Sequence, residues 1–439
     1  MKSYKFIILS FLIITANAAF SQNPIIHNQF TADPTARVFN GEVYLYPSHD
    51  IPTPPGKNLR QNWFCMEDYH VFSSANLTDW TDHGVIVTQT DVPWLTRYNY
   101  DMWAPDCVFK NSKYYFYFPV GGRIGVATAD KPEGPYTVLD KPVAGIRGID
   151  PCVLIDKDGQ AYIFTAMGRI SVVKLKDNMI EADGQPQVIA NLPTRGLIEG
   201  PFAFQVNGKY YLTYPHVENK IERLEYSMSD SPMGPYKPAG VLMDESKSGC
   251  WTNHQSIVKY KGQWYLFYHD RDYSPNFDKN RSVRIDSLFF NDDGTIRKVI
   301  PTLRGVGVTD ASQEIQIDRY SQLSNSGASI AFLDTTNTFK GWKTILGSKD
   351  AWIQYNTVDF GKKKFKSVQV KALSQTGGAV QIHLDKRDGP LVAEVKIPKG
   401  NDWNTVDAGI SKFQKGIHNL FVISGDNGPV EIDWIRFVN

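Results

Sequence analysis

The stretch "GLIEGPFAFQVNGKYYLTYP", residues 196–215, reads as a β-hairpin with one carboxylate, Glu199, set just ahead of it. Asn207-Gly208 is a two-residue turn signal, because both turn positions need positive φ. The flanking residues are apolar and aromatic, as strands prefer. A charge between an isoleucine and a Gly-Pro pair is costly in such a segment unless the protein uses it.

The hairpin has relatives within the chain. "DPTARVFNGEVYLYPSHD" from Asp33, "DCVFKNSKYYFYFP" from Asp106, "DPCVLIDKDGQAYIFTA" from Asp150 and "HQSIVKYKGQWYLFYHD" from His254 share its form. The turns are read at Asn40-Gly41, Asn111-Ser112, Asp158-Gly159 and Lys261-Gly262. A weaker echo follows in "VFSSANLTDW" (71–80), "VATADKPEGPY" (126–136) and "YSMSDSPMGPY" (226–236), each one more strand, a turn and the start of another. About four strands per unit, five times over, predict an all-β five-bladed propeller across residues 22–305. The first strand of each blade runs beside the axis, so the residues opening these strands should meet at one end. They are Asp33, Asp106, Asp150, Glu199 and His254. Four acids and a histidine are expensive to gather for packing alone, and they point to a site.

The 439-residue length suggests two domains. A net charge of +1 with interspersed signs argues against a nucleic acid or an anionic membrane as the main partner. Residues 1–21 carry Lys2 and Lys5, an apolar run and small residues, the pattern of a secretory signal peptide rather than of a membrane span. An exported protein, periplasmic or secreted and monomeric, is the expectation. Cys65, Cys107, Cys152 and Cys250 fit no zinc spacing, and Cys107 and Cys152 fall in apolar strands as buried thiols.

Paired carboxylates held apart in a pocket are the apparatus of glycoside hydrolysis: one protonated donor for the leaving oxygen, one ionised base for water. A third carboxylate near the donor would raise its pKa. The motifs around Asp33, Asp150, Glu199 and His254, with "WAPDC" (103–107) and "RSVRIDSLFFNDDGTI" (281–296), resemble glycoside hydrolase family 43, a clan F propeller family. The resemblance implies Asp33 as general base, Glu199 as general acid and Asp150 as modulator of the acid's pKa. It places His254 where the family holds a central cation, usually calcium, and puts Arg281 within reach of the sugar. Trp103, His49 and Asp50 are further candidates to line the pocket, whereas Asp106 reads better as structural. The implied reaction is inverting release of a terminal pentose from hemicellulose or pectin glycans, α-L-arabinofuranose first and β-D-xylose next. A galactan-directed glycosidase and a non-catalytic sugar-binding propeller are the alternatives. No organic cofactor is implied.

Residues 311–439 lack the hairpin but show alternating strands, the pattern of a β-sandwich. "IQIDRYS" (315–321), "WIQYNTVDFG" (352–361) and "EIDWIRF" (431–437) resemble carbohydrate-binding module family 6, a jelly roll. The resemblance implies a structural calcium at Gln316, Asp318 and Asp433. The resemblance makes Trp403 the candidate aromatic platform, while Glu431 stands where an asparagine usually serves the sugar cleft, so the module either binds sugar weakly or braces the propeller.

Overall fold

The computed structural model describes residues 22–439 except Asn58, Leu197, Lys363 and Phe413. The expected signal segment lies outside the described residues. The fold is all-β: among the described residues the only helical segments are two 3-10 turns, Gln89–Asp91 and Thr338–Lys340.

Five antiparallel sheets follow one another along the chain. The first is β1 (Phe30–Phe39), β2 (Glu42–Asp50), β3 (Asp68–Ser74) and β4 (Thr81–Thr88), in that order. The second is β5 (Asp106–Lys110), β6 (Lys113–Val120), β7 (Arg123–Ala129) and β8 (Thr137–Val138). The third is β9 (Ile149–Ile155), β10 (Ala161–Ala166), β11 (Ile170–Leu175) and β12 (Ala182–Val188). The fourth is β13 (Phe202–Val206), β14 (Lys209–Val217), β15 (Glu222–Ser229) and β16 (Lys237–Met243). The fifth has three strands, β17 (Ser256–Tyr260), β18 (Gln263–Asp270) and β19 (Ser282–Leu288). The N-terminal segment occupies the free edge of β19: Ile25 N–H donates to Val283 O at 2.9 Å, and the Asn23 side chain takes both Ile285 N–H and Ile285 O. An edge strand's unpaired backbone is thereby satisfied.

Four of the five hairpin turns are as the sequence predicts. Asn40-Gly41, Asn111-Ser112, Asn207-Gly208 and Lys261-Gly262 all have positive φ at both positions. The third is different. Ile155 pairs with Ala161, so a five-residue loop replaces the tight turn, and Asp158 does not take positive φ.

Apolar layers lie between neighbouring sheets. Tyr46 and Tyr69 of the first sheet pack with Phe116 and Phe118 of the second, and Tyr117 of the second with Ile163 and Val173 of the third. Phe164, Tyr214 and Tyr268 share one cluster across the third, fourth and fifth sheets. Val43, Leu45 and Phe72 of the first sheet pack against Phe267, Val283 and Ile285 of the fifth. The fifth sheet thus packs back on the first. Side-chain bonds follow the same circuit: Asp106 accepts from Arg37 and from Val153 N–H, Ala203 N–H reaches Cys152 Sγ, Gln255 Nε2 donates to Gly200 O, and Ala36 N–H donates to Ser256 Oγ.

The remaining strands form two further sheets. One carries β20 (Thr309–Asp310), β21 (Gln322–Leu323), β24 (Trp352–Asp359), β26 (Gly378–Leu384), β27 (Leu391–Ile397) and β29 (Ile417–Ser424). The other carries β22 (Ala328–Phe332), β23 (Trp342–Leu346), β25 (Ser367–Leu373), β28 (Asn404–Gly409) and β30 (Val430–Val438). Their inner faces alternate into one core that includes Ile353, Tyr355, Val370, Ile382 and Ile435, as a β-sandwich requires. This sandwich rests on the five-sheet region through Tyr273 stacked on Trp342 (centroids 5.1 Å apart), Phe30 against Phe339, and Arg304, which donates to Asn356 O and Thr357 Oγ1.

Candidate active site

The first and third sheets build the same local device. In β1, Ala32 pairs with Ser48 and Thr35 with Tyr46, so Asp33-Pro34 is a one-residue bulge. In β9, Ile149 pairs with Ala166 and Cys152 with Phe164, so Asp150-Pro151 bulges likewise. Proline has no N–H to lose from the ladder, which suits it to a bulge. Both aspartates have positive φ, 45° and 53°. That backbone costs of order 1–3 kcal/mol for a non-glycine residue and is typically kept where it aims a functional group.

The register corrects one expectation. In four of the repeats, seven residues before the first turn residue stand Asp33, Ala104, Gly200 and His254. Asp106 therefore sits past its repeat's equivalent position, and Glu199 one before it. Asp106 is fully buried away from the cavity and knits three sheets: Arg37 donates to both its oxygens at 2.8 and 2.6 Å, and Val153 N–H at 2.6 Å. Gly200 holds the positive φ (49°) of the fourth repeat, and a Cβ there would stand 2.9 Å from Pro215 and from His254 Nδ1. Only glycine fits, and its bare N–H donates to Asp150 Oδ2 at 2.9 Å.

Asp33, Asp150, Glu199, His254, Arg281 and Trp103 all line one cavity of about 270 Å³. Trp63, Phe64, Met66, Ile149 and Trp251 complete a mostly apolar wall. Arg281 clamps the Asp33 carboxylate with Nη1 to Oδ1 at 2.7 Å and Nη2 to Oδ2 at 3.1 Å, while Ser48 donates to Oδ2 at 2.7 Å. Burial works to raise the Asp33 pKa, but the Arg281 charge leads the opposing effects and holds the group well below the ordinary carboxylate range. His269 Nδ1 lies 3.6 Å from Asp33 Oδ1, yet it accepts from Asp33 N–H at 3.1 Å, and its Nε2 faces Thr252 O. Burial and Arg281 push His269 down to about 3, so this contact is not an ion pair.

Asp150 has the opposite fate. Burial first, then the Glu199 charge, push it well above its ordinary range, against the Gly200 N–H bond. Burial also raises Glu199, with the Asp33 charge adding to the rise and Glu222 and Arg281 opposing it. One cavity is therefore lined by a carboxylate held ionised, Asp33, and by two carboxyls, Asp150 and Glu199, whose burial favours the protonated form.

Other sequence candidates are displaced from this cavity. Asp50 is buried behind Arg281, accepting from its Nε and Nη2 at 2.9 Å, and reaches the cavity only through that clamp. His49 points to the other face of β2, where Nδ1 meets Asp68 Oδ1 at 2.7 Å. His254 is buried and held neutral, pushed down to about 4 chiefly by burial, so a lone pair is available for a ligand. The next residue, Gln255, has a buried Oε1 without a partner among the described residues. One imidazole nitrogen and one amide oxygen suit a cation whose shell is mostly water, since calcium takes ~6–8 oxygens. In the sandwich, Asp318 Oδ1 is buried without a partner and burial raises the carboxyl to about 7, with Asp433 adding to the rise. Arg319 already pairs with Asp318 and Lys371 with Asp433, and the Gln316 backbone oxygen accepts from Gln22. All four cysteines are free and buried.

Trp63, Phe64, Trp251, Ser48, His269 and Glu222 escaped the sequence reading. The aromatic-rich "NWF" at 62–64 was the available signal for the first two. None of the others carries a motif of its own.

Residues 21–296 match the family described as glycosyl hydrolases family 43. The chain belongs to glycosyl hydrolase family 43. Residues 323–439 match the carbohydrate binding module of family 6. A family relative from Humicola insolens, xylosidase/arabinosidase 43A, is 35% identical over 62% of this chain and 98% of its own. Among solved structures, a family 43 β-xylosidase/α-arabinofuranosidase from a compost microbial metagenome, in complex with xylotriose in a calcium-free form, is 32% identical with a TM-score of 0.58. It covers 64% of this chain and 98% of that one. The family 43 arabinoxylan arabinofuranohydrolase of Bacillus subtilis, in complex with cellotetraose, spans both regions: 25% identity, 96% of this chain, 98% of that one, TM-score 0.57.

Proposed function

We propose that this family 43 glycosidase removes a terminal pentose, α-L-arabinofuranose first and β-D-xylose next, from plant hemicellulose or pectin side chains, with inversion at the anomeric carbon. The observation that carries the reading is that one cavity is lined both by Asp33, clamped by Arg281 and so held ionised, and by Glu199, whose protonated form burial favours. Asp33 takes a proton from water as the water oxygen attacks the anomeric carbon. The glycosidic bond breaks, and Glu199 gives its proton to the leaving oxygen. Asp150, the modulator of the acid's pKa in this reading, is coupled to Glu199, since two charges side by side are costly in a buried site, and through Gly200 N–H it steadies the turn that carries the acid. Arg281 keeps Asp33 ionised and oriented.

A cavity of about 270 Å³ sits at the small end of the ~300–1,000 Å³ range of ligand pockets and suits one sugar ring. An adjoining hollow lined by Arg60, Trp63, Trp251 and Lys279 offers a path for the rest of the glycan. The arabinofuranose preference rests on the similarity over nearly the whole chain to the Bacillus subtilis arabinoxylan arabinofuranohydrolase.

The five sheets, each packed on the next and the fifth on the first, are read as the blades of a five-bladed propeller over residues 22–305, followed by the sandwich module over 311–439. The contacts at Trp342 and Phe339 support a bracing role for that module. A hydrated cation at His254 and a calcium at Asp318 and Asp433 belong to the same reading, as does export of a monomer behind a cleaved signal segment.

The test is Glu199→Gln on paired substrates. Turnover of a natural oligosaccharide should fall about 10²–10⁴-fold, the usual worth of a positioned acid, while an aryl glycoside with a good leaving group is largely spared. Equal retention on both would overturn the assignment. Proton NMR of first product should show inverted configuration, and retention would remove the base role from Asp33. A panel of para-nitrophenyl α-L-arabinofuranoside, β-D-xyloside and β-D-galactoside, run beside arabinoxylan and arabinan, decides the sugar.

A further inference from the structure

Away from the cavity, the outer face of the first sheet gathers two histidines and two aspartates. Ser48 of β2 pairs with Tyr69 of β3, which sets His49 opposite Asp68 and places His70 two residues further along β3 on the same face. Ser48 and Tyr69 are buried, so alternation turns these three outward. His49 Nδ1 meets Asp68 Oδ1 at 2.7 Å. His70 Nδ1 meets the two carboxylate oxygens of Asp82, on β4, at 3.0 and 3.2 Å. The two imidazoles stand edge to face with ring centroids 5.0 Å apart. One ligand atom from each of His49, Asp68 and His70 lies within 4.8 Å of the other two. The side chains of these three are only 14–18% exposed, sheltered yet open to an ion.

We infer that this cluster is a site for a divalent transition metal of the zinc class, held by His49, Asp68 and His70 with water completing the shell. Tetrahedral zinc takes imidazole nitrogen at ~2.0–2.1 Å, which sets two rings on one ion with their centroids about 5 Å apart. The spacing of His49 and His70 matches. Between His49 and Asp68 the ion takes the place of the bonded proton, which passes to solvent. Asp82 is the outer partner: bonded to Nδ1 of His70, it fixes that ring and leaves Nε2 as the ligand atom. Among the described residues neither aspartate pairs with a lysine or an arginine. The cluster therefore has two carboxylates and no fixed positive charge, which a dication supplies. Two ring nitrogens in the shell disfavour calcium and magnesium, which take oxygen, and suit zinc, nickel or copper. The ion would also act on β2 itself. His49 lies between Ser48, which donates to Asp33, and Asp50, which accepts from Arg281. Tying His49 to β3 stiffens the strand that carries both.

The test titrates Zn²⁺ into untagged full-length protein that has been stripped with chelator and then saturated with Ca²⁺, so that oxygen-rich sites are already filled. Wild type, His70→Gln and Asp82→Asn are compared by calorimetry and by Tm. Wild type should bind one zinc that His70→Gln lacks, and zinc should raise the Tm of wild type but not of His70→Gln. Asp82→Asn should keep the stoichiometry with affinity about 10–100-fold weaker, the usual cost of losing the outer partner of a ligating histidine. Neither His70 nor Asp82 lines the cavity, so kcat without zinc should hold in both variants. A wild type that takes no zinc, or a folded His70→Gln that takes it as wild type does, overturns the inference. Should His70→Gln not fold, zinc-edge X-ray absorption of the wild-type protein at one equivalent replaces it. A shell with two imidazole nitrogens supports the site, and an all-oxygen shell overturns it.

Discussion

Asp33 and Asp150 are the same residue in the same bulge, each followed by proline and each with positive φ. They end with opposite charge states. Arg281 and Ser48 surround the first, so it stays ionised although buried. The second faces Glu199 with one backbone N–H for support, so burial wins and favours its protonated form. Repetition of the backbone delivers carboxyls to one cavity. The side chains contributed by other sheets then decide what each carboxyl does.

Breaking the ionised half should have the largest effect. Asp33→Asn should lower kcat by about 10²–10⁴-fold on good and poor leaving groups alike, because the water base serves both. Steady-state kinetics on an aryl glycoside measures this, and a loss confined to poor leaving groups would exchange the roles of Asp33 and Glu199. Asp106 sharpens the comparison from outside the cavity. Asp106→Asn leaves the Arg37 guanidinium without its buried partner and should cost about 3–5 kcal/mol in denaturant unfolding while kcat per folded molecule holds. A selective loss of kcat with stability intact would return Asp106 to the site.

The smallest effect is on stability, and its sign separates the two aspartates. Asp150 has a raised pKa in the fold, so its contribution to stability is present below the ordinary carboxylate range and declines as pH rises through the folded value. Asp150→Asn should therefore be more stable than wild type at pH 7, with the gap in Tm shrinking on acidification. Asp33 is depressed, so its contribution is present at neutral pH and lost as pH falls below about 4. Asp33→Asn should lose stability at pH 7, with Asp50 left as the remaining carboxylate on Arg281. Melting curves over pH 3–9 check both signs.

Much of this was legible in the sequence because hairpins are local. Asn-Gly turns, Tyr-rich return strands and the Asp-Pro pairs announce themselves within a dozen residues, and they led to Asp33, Asp150, Glu199 and His254, all of which line the cavity. Register within a repeat is less legible, because one residue more or less ahead of a strand leaves the hairpin pattern unchanged. Glu199 and Asp106 looked equivalent to Asp33, but the register puts Gly200 and Ala104 there. That offset is why Asp106 faces Arg37 and why Glu199 leans across the cavity from a loop. His49 and Asp50 are neighbours on β2, and strand alternation sends only Asp50 toward Arg281.

The sequence by itself determined the repeating hairpins, the change to a sandwich pattern beyond residue 310, and which carboxyls were available. Only the tertiary structure decided their charges. A pKa depends on burial and on groups within a few ångströms, and here those groups come from distant parts of the chain: Arg281 to Asp33, Gly200 to Asp150, Glu222 to Glu199, Asn253 to Glu222. No local pattern records such pairings, because folding brings together residues that have no common spacing in sequence.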